Sequence, residues 1–372
     1  MKSLPHPAWI EINLQQFKCN IAAIRQHIGS SLLCLPIKAN AYGHGLVAMA
    51  HAAVAAGVDY LAVSCLQEGA LLREADINIP IFVMGAIHEE QIPDLLNYQF
   101  DLTISSLYKA ELVAKICKQL QKRCRVHVEI ETGMQRTGVR PETAIKLLNY
   151  LGSESCFEIM GLYSHMATAD IADNEHSYLQ IKSFQQFTQQ IIPKQPKRPI
   201  CHLANSGGVC YYPDAYMDMV RPGLLALGYF QSQIGNSLAA ISPFFSIKAK
   251  IAYFKVVEAG QGIGYGRSYI TSQRTRIVTV PVGYGDGYLR ALSNRGRVLI
   301  RGQFYPIVGM ICMDQFMVDI GNDEAYVGDE VVLIGKQGDK EISLLELAKL
   351  CNTIPYEILC LFNDRLPRVY LS

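Results

Sequence analysis

The sequence offers no electrostatic handle for a polyanion. Its 372 residues carry 34 Lys+Arg against 33 Asp+Glu, a formal net charge of +1, which leaves no footprint for nucleic acid or an anionic membrane surface. No stretch approaches the roughly 18 continuous apolar residues of a membrane-crossing helix. Blocks of like charge and low-complexity tracts are also missing. The segment Met1 to Ile10 holds two prolines and no apolar run of signal-peptide length. The 11 cysteines are scattered, many inside apolar segments such as Leu33-Cys34-Leu35. They lack the close pairs of a zinc site and the short-chain context of a disulfide framework, so buried reduced thiols and no metal site are expected. Together these absences point to a soluble cytoplasmic protein. What is present is apolar substance. Half of the residues are hydrophobic, and the length allows one large domain and a smaller one.

From Leu32 to Pro222 short apolar runs alternate with amphipathic stretches. Strands are predicted at Leu32–Ile37, Tyr60–Val63, Pro80–Met84, Asp101–Ile104, Arg125–Ile130, Phe157–Tyr163, Pro199–Leu203 and Met217–Pro222. Helical patterns lie between most of them, over Leu46–Ala56, Leu66–Glu74, Leu107–Leu120 and Asn174–Ile192. About eight strands alternating with helices over roughly 200 residues fit a (β/α)8 barrel. A doubly wound open sheet is the alternative, but no Gly-rich dinucleotide turn follows the first strand. After about Gly235 the texture changes. Phe244–Val257, Arg276–Val282, Gly296–Ile300, Gln315–Ile320 and Glu330–Ile334 read as strands joined by Gly-rich turns, with a short helix at Leu344–Leu350. The expected organisation is therefore a TIM-like barrel over 14–235 and a mainly β domain over 236–372. The opening segment 1–13 is expected to join the β domain through a further strand read at Trp9–Leu14.

In such a barrel, catalytic groups sit where strands end and loops begin. The first strand runs into Pro36-Ile37-Lys38-Ala39-Asn40-Ala41-Tyr42-Gly43-His44-Gly45. A lysine at the end of an apolar strand is partly desolvated, which disfavours its ammonium form and makes the amine a nucleophile able to form a Schiff base. A lone lysine there is more often a surface cap, so Lys38 needs support. It comes from the last two strands. His202-Leu203-Ala204-Asn205-Ser206-Gly207-Gly208 supplies a hydroxyl and backbone N–H groups, and Val220-Arg221-Pro222-Gly223-Leu224 supplies another glycine turn beside an arginine. Loops after the seventh and eighth strands commonly bind phosphate in these barrels. Two such turns together with Lys38 suggest a phosphorylated aldehyde cofactor.

The chain from Lys38 to Gly45 resembles the pyridoxal-phosphate attachment motif of the alanine racemases, a fold-type III pyridoxal-phosphate enzyme family. The resemblance continues through Thr132-Gly133-Met134-Gln135-Arg136, Ser164-His165-Met166-Ala167-Thr168-Ala169-Asp170, Ala204-Asn205-Ser206 and Arg221-Pro222-Gly223. In the β region it covers Gly264-Tyr265-Gly266, Gly283-Tyr284-Gly285-Asp286-Gly287-Tyr288, Cys312-Met313-Asp314-Gln315 and Thr353-Ile354-Pro355-Tyr356-Glu357. Matches in order over nearly the whole chain are far more specific than any single motif.

The resemblance implies a role for each residue. Lys38 would hold pyridoxal 5'-phosphate as a covalent Schiff base and act as one base, and Tyr265 would be the second base. Tyr42, Ser206, Gly223, Leu224 and Tyr356 would hold the phosphate, with Asn205 in the same cofactor-binding set. Arg221 would face the pyridine nitrogen, with His165 bonded to it in turn. Arg136 and the Met313 N–H would bind the substrate carboxylate. His44, Tyr284 and Asp314 would support the site. The implied protein is a cytoplasmic homodimer with shared active sites, acting on alanine and supplying D-alanine for peptidoglycan. The chemistry is coherent. Racemisation removes a proton on one face and returns one on the other, so two bases are wanted. A phenol titrates near a pKa of about 10, so Tyr265 needs positive charge nearby. An arginine at the ring nitrogen has only donors, which keeps that nitrogen unprotonated and suppresses transamination.

Two positions depart from the family pattern. Many members carry a carbamylated lysine seven residues before the carboxylate-binding arginine, where this chain has Glu129. Glutamate supplies the negative charge without modification and is expected to orient Arg136. Met310 follows Gly309 where many members have an arginine near the substrate entrance. Rival readings are a broader amino-acid racemase on the same scaffold, a basic amino-acid decarboxylase, and a non-catalytic pyridoxal-phosphate-binding barrel. A decarboxylase is expected to place a carboxylate where Arg221 stands. Binding-only barrels lack the β domain that carries Tyr265 and Met313.

Overall fold

The computed structural model describes residues 6–230 and 238–372. The chain divides into two units: Gln16–Ala41 with Leu46–Ser242, and Met1–Gln15 with Tyr42–Gly45 and Pro243–Ser372. The boundary expected between 235 and 236 lies outside the described residues. Among the described residues no helix is long and apolar enough to cross a membrane.

The larger unit is a closed barrel of eight parallel strands: Leu32–Pro36, Tyr60–Val63, Ile81–Val83, Asp101–Ile104, Cys124–Glu129, Phe157–Tyr163, Ile200–His202 and Met219–Val220. The last closes on the first through Leu32↔Met219 and Leu33↔Val220. Every residue of Tyr60–Val63, Ile81–Val83 and Asp101–Ile104 is buried. Continuous rather than alternating burial follows from packing on both faces, the barrel interior on one and the helices on the other. Leu107–Leu120 shows how the helices are specified. Ser106 caps it by accepting from Lys109 N at 3.2 Å, and the stripe Ala110, Val113, Ala114, Cys117 faces inward. It stops at Gln121, whose φ of 54° is left-handed. Two further long helices, Leu14–Ile28 from Gln16 onward and Pro141–Ser153, belong to the same unit. The interior is filled by Cys34, Tyr60, Phe82, Tyr163 and Met219.

The smaller unit is mainly β. A ten-stranded sheet runs in the order Tyr253–Val257, Thr275–Val280, Phe316–Asp319, Gln303–Val308, Arg297–Ile300, Glu330–Gln337, Phe245–Lys250, Ala8–Asn13, Arg368–Leu371, with Lys340–Ile342 paired to Glu330–Gln337. Ala8–Asn13 pairs antiparallel with Phe245–Lys250 and parallel with Arg368–Leu371. Its alternating pattern buries Ala8, Ile10 and Ile12 on one face. The single strand expected over Phe244–Val257 is two. The chain turns at Ile251-Ala252, whose amides bond Asp329 O and Thr279 O instead of continuing one ladder.

Candidate active site

The barrel's first strand ends at Pro36, and Lys38 begins a turn of unusual handedness. Ala39, Asn40, Ala41 and Tyr42 all have φ between 51° and 56°, a region that side chains other than glycine's rarely adopt. Consecutive left-handed residues persist only where their surroundings hold them, and such segments cluster at functional sites. Two anchors are visible within the barrel unit: Ala39 N donates to Glu68 Oε1 at 2.5 Å, and Leu46 N donates to Asn40 Oδ1 at 2.7 Å.

Around the same barrel mouth the charges converge. His165, just after the strand Phe157–Tyr163, is pushed down to about 3 by burial first, then by the cations Arg221, Arg136 and Lys38. One imidazole therefore feels all three cationic candidates that the sequence places on three different strands. Its Nδ1 is buried without a partner among the described residues.

Arg221 follows the eighth strand and is 2% exposed. Its Nη1 lies 2.7 Å from His202 Nδ1, and its Nη2 donates to Ser164 O at 2.7 Å and to Leu203 O at 3.3 Å. Its Nε has no partner among the described residues. The histidine bonded to Arg221 is thus His202, not His165. Both sit at ends of neighbouring strands, but the His202 ring lies in the barrel interior, stacked at 5.0 Å and 8° on Tyr163, whose face Arg221 also covers at 5.4 Å.

The turns after the last two strands form a cradle of main-chain donors. Asn205 caps Ser206–Tyr211 by accepting from Gly208 N at 3.0 Å, and ties to Met166 O at 3.2 Å. Ser206 is buried, and its Oγ accepts from Leu225 N at 3.1 Å. This orients the Gly223-Leu224 turn against Ser206. No hydrogen bond among the described residues uses the amide of Gly223 or Leu224. A side chain at Gly207 would put its Cβ 2.3 Å from Ala169 O, so only glycine lets the backbone pass there. An orphaned guanidinium N–H, a lysine whose charge acts on the same histidine as the guanidinium, and open amides beside a buried serine hydroxyl are a donor set that fits a phosphorylated pyridine aldehyde.

Arg136 is exposed and has no side-chain partner among the described residues. Glu129 does not orient it. The Glu129 carboxylate is buried and accepts from Thr137 Oγ1 at 2.6 Å and Tyr163 OH at 3.1 Å. The expectation of a Glu129–Arg136 pair is corrected. Glu129 ends a strand on the barrel interior, where Tyr163 on the adjacent strand and Thr137 on the following loop reach it first.

The remaining candidates lie on the smaller unit. Tyr265 opens a short turn between Gly264 and Gly266, with φ of 68° and 69°, and is 73% exposed. Met313 is 53% exposed, and its amide takes part in no hydrogen bond among the described residues. The Tyr284 turn is locked onto the Met313 loop: Tyr284 N bonds Cys312 O at 3.1 Å, Gly285 N bonds Met313 O at 2.8 Å, and Arg365 bridges Asp286 and Asp314. Asp314 thus holds this loop pair together. Met310 precedes them, and its carbonyl accepts from Cys312 Sγ at 3.5 Å. Burial, and secondarily Asp314, raise the Cys312 thiol above its ordinary value, which suits an unreactive thiol. Tyr42 and Tyr356 meet with ring centroids 5.9 Å apart. His44 is a core histidine between Phe244 and Phe245.

The alanine racemase N-terminal domain model matches residues 12–231, and the alanine racemase C-terminal domain model matches residues 244–370. An alanine racemase of Clostridium kluyveri is 37% identical over 98% of this chain and 94% of its own length. One of Carboxydothermus hydrogenoformans is 39% identical over 98% of this chain and 100% of its own. The solved alanine racemase of Clostridium difficile superposes with a TM-score of 0.93 at 35% identity, over 99% of this chain and 97% of that one. The chain belongs to the alanine racemase family.

Proposed function

We propose that this chain interconverts L- and D-alanine, with pyridoxal 5'-phosphate held through Lys38 and with Lys38 and Tyr265 as the two bases. The observation that carries the reading is Arg221. Its terminal nitrogens are tied to His202, Ser164 and Leu203, its buried Nε–H is left over, and its charge acts on His165 together with that of Lys38. Pyridoxal phosphate, when bound, supplies the electron sink that stabilises the carbanion left when the α-proton departs. Arg221 would donate to the ring nitrogen without giving up a proton, which would limit that sink and disfavour transamination.

The other residues bind and move protons. Ser206, Asn205, Gly223 and Leu224 hold the phosphate from the barrel, with Tyr42 and Tyr356 supplying phenols. His165, kept neutral by burial and the surrounding cations, would be an uncharged neighbour of the cofactor. Arg136 and the Met313 N–H take the substrate carboxylate. Tyr284 and Asp314 keep the Met313 loop in place. The Lys38 amine takes or returns the proton on one face, and the Tyr265 phenol does so on the other. Tyr265 and Met313 are exposed in a single chain, which supports a homodimer in which a second copy completes each site. The product fits a cytoplasmic supply of D-alanine for peptidoglycan. The test is purified protein given L-alanine and a panel of other amino acids, read by chiral analysis. Racemisation of alanine well above the rest supports the reading, and equal racemisation of several amino acids favours a broader racemase.

A further inference from the structure

A row of polar side chains crosses the barrel interior behind Arg221. Arg221 Nη1 is 2.7 Å from His202 Nδ1, His202 Nε2 is 2.9 Å from His127 Nδ1, and His127 Nε2 is 3.5 Å from Asp101 Oδ2. Arg221 is 2% exposed and the other three 0%. Asp101 Oδ1 accepts from Arg125 Nε at 2.5 Å. The fold makes room for this row. A side chain at Gly161 would place its Cβ 2.3 Å from His127 Nδ1.

Such a row has a direction, because its two ends are chemically opposite. A guanidinium only donates, and an ionised carboxylate only accepts. His202 Nδ1 must therefore accept from Arg221, and its single proton sits on Nε2. Burial, then the Arg221 charge and His127, push His202 well below its ordinary value, so a second ring proton is disfavoured. His202 Nε2–H donates to His127 Nδ1, and the remaining His127 nitrogen, Nε2, faces the Asp101 carboxylate at 3.5 Å in an electrostatic contact, neither atom having a hydrogen bond among the described residues. Reversing the histidine–histidine link or the Arg221–His202 link leaves two donors face to face inside the barrel, where an unmade hydrogen bond is expensive, and takes the N–H away from the Asp101 carboxylate.

We propose that Asp101 and His127 are positioning residues for Arg221: by fixing the direction of this row they hold the guanidinium's terminal nitrogens and leave its Nε–H as the donor to the cofactor. The inference rests on the reading that Arg221 meets the cofactor ring. Neither residue touches the cofactor. They act through His202.

The two positions answer differently to substitution. In Asp101→Asn, Arg125 keeps the oxygen on its own side, so the amide NH2 takes the place of Oδ2 and faces His127 Nε2. Two donors then meet, and relief requires both histidines to move their protons to Nδ1, which sets His202 against Arg221. In His127→Gln, the side-chain oxygen can accept from His202 and the NH2 can donate to Asp101, so the direction survives. A packing role alone predicts the opposite order, since Asp101→Asn is nearly isosteric and His127→Gln removes a ring that packs on Phe82.

The experiment uses histidine-selective 15N spectra of the full chain together with the dissociation constant of pyridoxal phosphate. Both buried histidines are expected to show the Nε2–H tautomer, and Asp101→Asn to admit a detectable share of Nδ1–H. Asp101→Asn is expected to weaken cofactor binding about tenfold, His127→Gln by less than about threefold, on the scale of one buried hydrogen bond. Arg221→Lys separates the two claims. If it leaves cofactor affinity unchanged, the reading of Arg221 fails and the inference falls with it. If Arg221→Lys weakens binding while Asp101→Asn does not, or if His202 carries its proton on Nδ1 in the unsubstituted chain, the positioning role is overturned and the reading of Arg221 stands.

Discussion

The Tyr163 hydroxyl donates to the Glu129 carboxylate at 3.1 Å inside the barrel, and Thr137 supplies a second donor at 2.6 Å. Tyr163 in turn stacks on His202 and lies under Arg221. Glu129 therefore supports the aromatic ring beneath Arg221 rather than Arg136.

This changes what Glu129→Ala is expected to do. Removing the carboxylate takes an acceptor from Thr137 and from the buried Tyr163 hydroxyl, which keeps Thr103 Oγ1 at 3.0 Å as an alternative acceptor, so the cost is about 1 kcal/mol of stability. The KM for alanine is expected to stay within a few fold of the unsubstituted enzyme, because Arg136 loses no partner. Activity is also expected to be independent of dissolved bicarbonate, since a glutamate needs no carbamylation to carry its charge. Denaturant midpoints and kinetics with and without bicarbonate check both. A large rise in KM with unchanged stability would restore the Glu129–Arg136 pairing.

Lys38→Ala is expected to abolish covalent cofactor attachment, read as borohydride-stable labelling and its position in a peptide digest. Labelling at another lysine contradicts the assignment.

The buried histidines give the protein an acid liability. His165 is pushed down to about 3 and His202 well below its ordinary value, both chiefly by burial and then by Arg221. Between about pH 6.5 and pH 3 the unfolded chain binds protons at these rings that the folded chain does not, so stability is present above the unfolded value and is lost as pH falls below it. Each ring contributes a slope of at most about 1.4 kcal/mol per pH unit. His165→Gln is expected to flatten the pH dependence of the unfolding midpoint in that window. An unchanged slope would show that His165 titrates normally in the fold.

The barrel was legible because each of its strands is a short apolar run buried on both faces, such as Tyr60–Val63. The order of matched motifs marked the positions of Lys38, Arg221 and Tyr265. The helix Leu14–Ile28 is readable too, since Phe17, Ile21, Ile24 and Ile28 recur at helical spacing, directly after the expected strand Trp9–Leu14, which forms as Ala8–Asn13. His202 stood inside a recognised segment, yet spacing cannot say which of two histidines at adjacent strand ends turns inward. The signal that could have found His127 and Asp101 is a polar residue in an otherwise apolar barrel strand. Glu129 was misread because its partner is Tyr163, 34 residues away and adjacent only once the strands pair.

Mixing Lys38→Ala with Tyr265→Phe chains is expected to restore activity, since heterodimers with shared sites carry one intact pair of bases. Failure to recover activity after verified subunit exchange would place Tyr265 in the site of its own chain.

The most direct test of the two-base assignment is α-proton exchange in deuterated water by Tyr265→Phe, followed separately for each enantiomer. If the Tyr265 phenol serves L-alanine and the Lys38 amine serves D-alanine, the variant keeps the cofactor, exchanges the α-proton of D-alanine and leaves that of L-alanine almost untouched, with racemisation largely lost. Equal exchange of both enantiomers would contradict the assignment of Lys38 and Tyr265 to opposite faces.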